Sequence, residues 1–296
     1  MDHLIRALAH KAGYDSCYIL ENENIPDVPE SLKSIVLLIK TYHGEEEADA
    51  SFAVIHPYYF CAQEAYHAAN KLTEELKNQG IEAVHLPNIS LKKIAVRLNG
   101  FVQRRNSLVY HEQWGSRMHF QAIGIKNRLT CDQSSNRQRS VYENCGSCNL
   151  CIEACPTKAI NENGVYPKKC LRYYMDNGKG VPAELRRLMG NKLLGCDVCQ
   201  SVCPHNNRPI AFKPERQYLI EDLLPPDSKV LKELGERIGT NISNKNRICA
   251  QTCILAGNSM QDTYLEALEA LQKHLSPVVK EQATWAAKEI KDSKER

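Results

Sequence analysis

The sequence predicts a multidomain α+β protein in three parts: an N-terminal α/β domain, a cysteine-rich middle domain and a C-terminal α-helical module. Three observations predict it. Up to about residue 131, apolar runs of strand length alternate with helical apolar faces. Between Cys145 and Cys203 stand eight cysteines in two ordered sets. From Ser228 onward, apolar residues recur at helical spacing to the end. A length of 296 residues accommodates two or three domains. The boundaries fall at 1–131, 132–209 and 210–296.

Residues 1–20 read as a short helix and then a strand over 15–19. The compact apolar run 34–39, bounded by polar residues, is most simply a buried strand. Over 64–77, Ala65, Ala68, Ala69, Leu72 and Leu76 share one helical face, and Gly80 follows as a stop. Residues 81–86 form the next expected strand, ended by Pro87-Asn88. A helix over 91–98 and a strand over 121–125 complete the domain. The polar stretch 132–143 reads as a linker, and 210–227, with Pro214, Pro225 and Pro226, as a connector. Beyond it, Ile248, Cys249, Cys253 and Ala256 share one face; Leu265, Leu268, Leu271 and Leu275 a second; Val279, Ala283, Ala286 and Ile290 a third. Ser276-Pro277 marks the last helix start, with serine as N-cap and proline in the first turn. Stacked short helices of this kind suggest one α-solenoid repeat of HEAT-like type after a preceding helix.

The middle domain carries the chemistry. Cys145-Gly-Ser-Cys148-Asn-Leu-Cys151-Ile-Glu-Ala-Cys155-Pro156 is C-x2-C-x2-C-x3-C-P, the run of bacterial ferredoxins, whose fourth cysteine ligates the other cluster of a pair. Cys170 follows, then Gly195-Cys196-Asp-Val-Cys199-Gln-Ser-Val-Cys203-Pro204. Two-residue gaps let a tight loop bring thiolates to separate iron corners, and the prolines stop each segment from continuing as a regular element. Crossed ligation gives Cys145, Cys148, Cys151 and Cys203 to one 4Fe-4S cluster and Cys155, Cys170, Cys196 and Cys199 to the other. Zinc shells favour paired C-x2-C knuckles over a four-cysteine run ending in proline. Disulfides fit poorly with a chain whose first ten residues show no export signal. No apolar run reaches the roughly 18–20 residues of a membrane span, so a soluble, cytoplasmic protein is expected.

The net charge of +3 points to no partner by itself, but its distribution is uneven. Residues 91–128 hold Lys92, Lys93, Arg97, Arg104, Arg105, Arg117, Lys126 and Arg128 against Glu112, and 166–192 carry seven basic residues against Asp176 and Glu184. Such a face suits RNA or another phosphate-rich ligand; a solvated surface explains the same charges.

Four stretches together resemble the epoxyqueuosine reductases. They are 145–160, ending Cys-Pro-Thr-Lys-Ala-Ile; 190–204; Asn106-Ser-Leu-Val-Tyr-His-Glu-Gln-Trp-Gly115-Ser116; and 247–290, with Leu255-Ala-Gly-Asn258. Tyr66-His67 is similar to a further family motif. The resemblance implies an N-terminal cobalamin-binding-type α/β domain, a two-cluster ferredoxin-like domain and a HEAT-like module. It implies reduction of epoxyqueuosine to queuosine in a tRNA anticodon stem-loop, with two 4Fe-4S clusters and cobalamin as cofactors and an external electron donor such as a flavodoxin or ferredoxin. The cofactor-binding residues it implies are Cys61, Tyr66, His67, Asn106, Ser107, Gly115, Ser116, Arg172, Tyr173, Gln200 and Ser201.

The sequence also departs from the family. The family's proton-donating aspartate falls by counting near residues 85–88, here His-Leu-Pro-Asn, which hold no carboxylate. A glycine-rich family stretch is here Asn99-Gly-Phe-Val-Gln-Arg-Arg-Asn106. His85, Tyr110 and Tyr173 are the substitute acids considered. The alternatives are a cobalamin-dependent reductase of another substrate and a ferredoxin-like electron carrier without epoxide chemistry. Cys249 and Cys253, one turn apart, suit a buried apolar face better than a metal.

Overall fold

The computed structural model describes residues 1–23, 25–43, 49–132, 145–206 and 217–294. All of the expected linker beyond Asp132, and the connector as far as 216, lie outside them. The chain forms two compact units, each assembled from separate segments. One comprises Met1–Tyr42, Phe60–Asn149 and Cys203–Arg208; the other comprises His43–Tyr59, Leu150–Val202 and Pro209–Arg296. Secondary structure throughout is α+β.

The first unit is built on a four-stranded sheet. Ser16–Glu21, Ser34–Thr41, Met118–Ile125 and Ala83–His85 lie side by side in that order, every pair antiparallel. Alternating strand and helix therefore does not close here as parallel crossovers. The apolar run of Ser34–Thr41 has a physical reason: both of its faces are covered. Val36 and Leu38 enter a core with Ile5, Ala65, Ala69, Leu72 and Leu76, while Ile35, Leu37 and Ile39 enter another with Ile94, Leu98 and Phe101. The helix that supplies Ala65 to Leu76 runs Pro57–Asn78, starting earlier than its apolar periodicity suggests. A short hairpin, Phe101–Gln103 with Val109–His111, was not visible in the pattern.

Ser16–Glu21 is an edge strand, and Asp132 covers it. Its carboxylate accepts from the Ile19 N–H at 2.7 Å and from the Arg6 guanidinium at 2.8 Å, and its own N–H donates to the Ile19 carbonyl at 2.8 Å. Arg6 also donates to the Cys17 carbonyl at 2.9 Å. Exposed edge groups are thus satisfied locally. Asp132→Ala is expected to lower the stability of the protein by roughly 1–3 kcal/mol, the range for a charged hydrogen bond whose partner stays behind. A urea unfolding midpoint equal to wild type would show that the edge does not depend on this carboxylate.

In the second unit, Phe52–Ile55 is the middle strand of three, parallel to Lys192–Leu194 and antiparallel to Gln217–Leu219. Three helices, Lys245–Ser259, Leu265–Leu271 and Pro277–Lys294, pack together. Gly257 lies inside the first of them, where an added Cβ would fall 2.9 Å from Ala286, so only glycine allows that crossing. Asn258 donates to the carbonyls of Arg186 and Gly190 at 3.0 and 2.9 Å. Cys249 and Cys253 are buried in the same helix. Leu275 does not join Leu268 and Leu271. Their helix ends at Leu271, and Leu275, in the turn beyond, is 98% exposed.

Candidate functional site

Cys155, Cys170, Cys196 and Cys199 all belong to the second unit. Leu150–Ala154 packs on Val198–Ser201, and Cys155 forms a small core with Ala159 and Ile160 against which Cys151, Cys170 and Cys199 pack. Cys170 is placed by the start of the Leu171–Asn177 helix, for which it is the N-cap. Gly195, at φ 88°, lets the chain pass His56, whose Cβ would lie 2.5 Å from an added Cβ.

Electrostatics mark the same gathering. Burial, then the neighbouring Cys196, Cys170, Cys151 and Cys155, push the Cys199 thiol up to about 12. Burial also raises Cys196. At Cys155, burial opposes ionisation, but the Thr157 hydroxyl and the N–H groups of Ala159, Thr157 and Ile160 bring the thiol below its ordinary value. Asp197 stands beside this group. Burial raises its carboxyl, but Lys192 and the Ser201 hydroxyl outweigh it and bring it to about 2. A crowded group of thiols suits a site that iron fills with release of protons. Among the described residues, no three His, Cys, Asp or Glu surround a single metal-ion position. A cubane asks for a wider arrangement, one thiolate on each of four irons.

Of the other set, Cys145, Cys148 and Cys203 lie in the first unit and Cys151 in the second. The Cys145 and Cys148 loop is held by Arg105, which is 4% exposed. Arg105 Nη1 donates to the Cys148 carbonyl at 2.5 Å and to Asn149 Oδ1 at 2.7 Å, Nη2 to the Gly146 carbonyl at 3.4 Å, and its backbone N–H to Cys145 Sγ at 3.4 Å. Cys203 hydrogen-bonds with the Tyr110 hydroxyl. Burial and that contact raise the Tyr110 phenol above its ordinary value, against hydrogen bonds from Asn106 and Ser116. Asn206, three residues beyond Cys203, accepts from the Ser116 N–H at 2.8 Å, and its carbonyl accepts from Arg117 at 3.0 Å. Gly115, at φ 61°, leaves room for the Asn206 side chain, whose Oδ1 would lie 2.2 Å from an added Cβ.

Among the other residues singled out from the sequence, Asn106 donates to the Tyr110 hydroxyl at 3.0 Å, and Ser107 forms the hairpin turn at φ 61°. Cys61 is buried against the Lys40 and Thr41 carbonyls. His67 bonds Gln63 at 2.8 Å, and the Tyr66 ring, 40% exposed, lies 5.2 Å from the His85 ring. His85 has Asn70 Oδ1 at 2.9 Å on one nitrogen and Gln121 Oε1 at 2.8 Å on the other, and Gln121 Nε2 reaches His119 Nε2 at 3.0 Å. In the second unit, the Arg172 guanidinium stands 4.4 Å from the Tyr58 ring centre and bonds Asp176 at 3.2 Å. Ser201 donates to Asp197 at 2.7 Å, and Gln200 is buried. Tyr173, 39% exposed, lines a cavity of about 490 Å³ with Lys168, Lys179 and Gln282.

The sequence did not single out Arg105 as a support of the Cys145 loop, nor Asn206, Asn70, Gln121 or His119. Only Arg105 carried a local signal, its place directly before the Asn106 motif.

A family model described as a 4Fe-4S double cluster binding domain matches residues 144–206. The chain is 28% identical over 228 residues to an epoxyqueuosine reductase of Cyclobacterium marinum, covering 73% of this chain and 70% of that protein. It is 31% identical over 163 residues to an epoxyqueuosine reductase of Bacillus subtilis, covering 51% of this chain but only 42% of that protein. A crystal structure of epoxyqueuosine reductase with an epoxyqueuosine-modified tRNA-Tyr stem loop has the same fold, at TM-score 0.79 and 19% identity over 98% of this chain and 90% of its own. In cysteine framework and sequence this chain is similar to the epoxyqueuosine reductases, and it shares their fold.

Proposed function

We propose that this chain is an iron–sulfur and cobalamin-dependent reductase that converts epoxyqueuosine to queuosine in a tRNA anticodon loop. The observation that carries the reading is a complete double-cluster cysteine set within a fold that matches an epoxyqueuosine reductase over 98% of the chain. In this reading 1–131 binds cobalamin, 132–209 holds the clusters, and 210–296 is a HEAT-like support. The setting is the cytoplasm, where thiols stay reduced.

The residues divide by role. The eight cysteines hold two 4Fe-4S clusters, which accept single electrons from a flavodoxin- or ferredoxin-type donor. Cobalamin, when bound, supplies the carbon-centred reduction itself. The buried members of its residue set, Cys61, Asn106, Gly115, Ser116 and Gln200, shape the site; Cys61, Asn106 and Ser116 have hydrogen bonds within the protein. The exposed Tyr66, His67, Tyr173 and Ser201 are the side chains open to contact it. Tyr173 with Lys168 and Lys179 combines an aromatic face with two cations, a pairing that suits a nucleotide strand. Opening an epoxide leaves charge on oxygen, and His85, between Asn70 and Gln121, is the acid assigned to it.

Absence of a carboxylate over 85–88 favours a second reading, a cobalamin-dependent reductase of another substrate. Single-turnover reaction of an epoxyqueuosine-containing tRNA stem-loop with reconstituted, chemically reduced protein separates them. Conversion to queuosine is expected. Cobalamin binding without conversion would select the second reading, and no cobalamin binding would leave an electron carrier.

A further inference from the structure

Arg105 has a place that neither the cluster ligands nor the proposed reaction explains. It stands at the tip of the hairpin joining Phe101–Gln103 to Val109–His111, where the Ser107 N–H closes on the Arg104 carbonyl at 2.8 Å. The side chain is buried, yet residues 146–149 that it grips are exposed. An exposed loop is thus tied to the hairpin by one forked cation, through the carbonyls of Gly146 and Cys148 and the Asn149 amide. The backbone N–H of the same residue points at Cys145 Sγ.

We infer that Arg105 is a positioning residue for the cluster held by Cys145 and Cys148, fixing that loop with its fork and raising that cluster's reduction potential with its charge. A guanidinium stays charged at any working pH and presents several donors in one plane. Reduction adds one electron to the cluster and takes it from the 2+ to the 1+ state. A cation held in a buried place favours the added charge, because solvent and salt screen it weakly there. An N–H directed at a ligating sulfur acts in the same sense.

The inference rests on Cys145 and Cys148 being ligands, and the test separates the two. Cys170→Ala protein keeps the Cys145 cluster alone, and its midpoint potential is read by EPR during titration with dithionite. Adding Arg105→Gln is expected to reduce the ratio of reduced to oxidised cluster at fixed potential at least tenfold, about 59 mV for one electron. Arg105→Lys keeps charge and loses the fork. Its ratio is expected to stay within threefold of the parent, while a chelator strips its iron several-fold faster. A shift under threefold in Arg105→Gln at full iron content overturns the role of the charge. If that variant loses its cluster, Arg105→Lys decides: slow iron release with a tenfold drop in the ratio overturns the proposal, and fast release with a retained ratio supports it. Full iron content in Cys145→Ala would remove the ligand assignment itself; iron loss there with an unmoved Arg105→Gln potential would remove only the role of Arg105.

Discussion

Cys170→Ala, purified without oxygen, is expected to carry about four irons where wild-type protein carries about eight, from the loss of one of two four-iron clusters. Cys170 has no motif neighbour within a loop's length, so its membership of the second set depends on the fold. Cys170 opens the Leu171–Asn177 helix and packs with Cys151 and Cys199 around Cys155, which is why its loss is expected to cost that cluster. Electron delivery should stop with it, because a relay of two clusters fails when either is missing. Iron analysis and the EPR signal of reduced protein check this directly. Eight irons in the variant would mean that another residue completes the shell.

His85→Ala is expected to slow single-turnover reduction of the epoxide by about 10²–10⁴, the usual contribution of a positioned acid. The imidazole lies between two amide oxygens, Asn70 Oδ1 and Gln121 Oε1. With Gln121 Nε2 turned to His119, its oxygen is the end left to face His85. Both ring nitrogens thus face acceptors, an arrangement suited to a ring that gives up a proton. Asn70→Leu should reproduce part of the loss, and the cobalamin absorbance should be unchanged in both. A rate for His85→Ala within threefold of wild type would pass the role to Tyr110, Tyr173 or water, which Tyr110→Phe and Tyr173→Phe then distinguish.

What the sequence revealed follows from how local each signal is. The cysteine framework was legible because cluster ligation imposes fixed short spacings and a terminal proline. The strand Ser34–Thr41 and the face of Ala65, Ala69, Leu72 and Leu76 were legible because burial writes its period into neighbouring residues. The strands Phe52–Ile55 and Lys192–Leu194 were not, since four and three residues are too few for a period and they meet across the chain. Arg105 escaped for a related reason: its contacts lie about forty residues away, at 145–149. Leu275 misled because spacing continued the apolar face past the point where the helix turns off at Leu271. Antiparallel pairing was equally invisible, as alternation of elements does not encode strand direction.

The middle strand of the second unit sets an order of events during synthesis. Phe52–Ile55 is made early, but its first partner, Lys192–Leu194, emerges more than a hundred residues later, and Gln217–Leu219 later still. At about 5–20 residues per second on the ribosome, both edges of that strand stay open for roughly 7–30 s. All eight cysteines of the two sets leave the ribosome before the last strand is made. Iron delivery and sheet closure therefore fall in one window, in which a free apolar edge and a row of oxidisable thiols coexist. Yield of this protein should depend on how fast clusters are supplied during translation, more than on the stability of the finished fold.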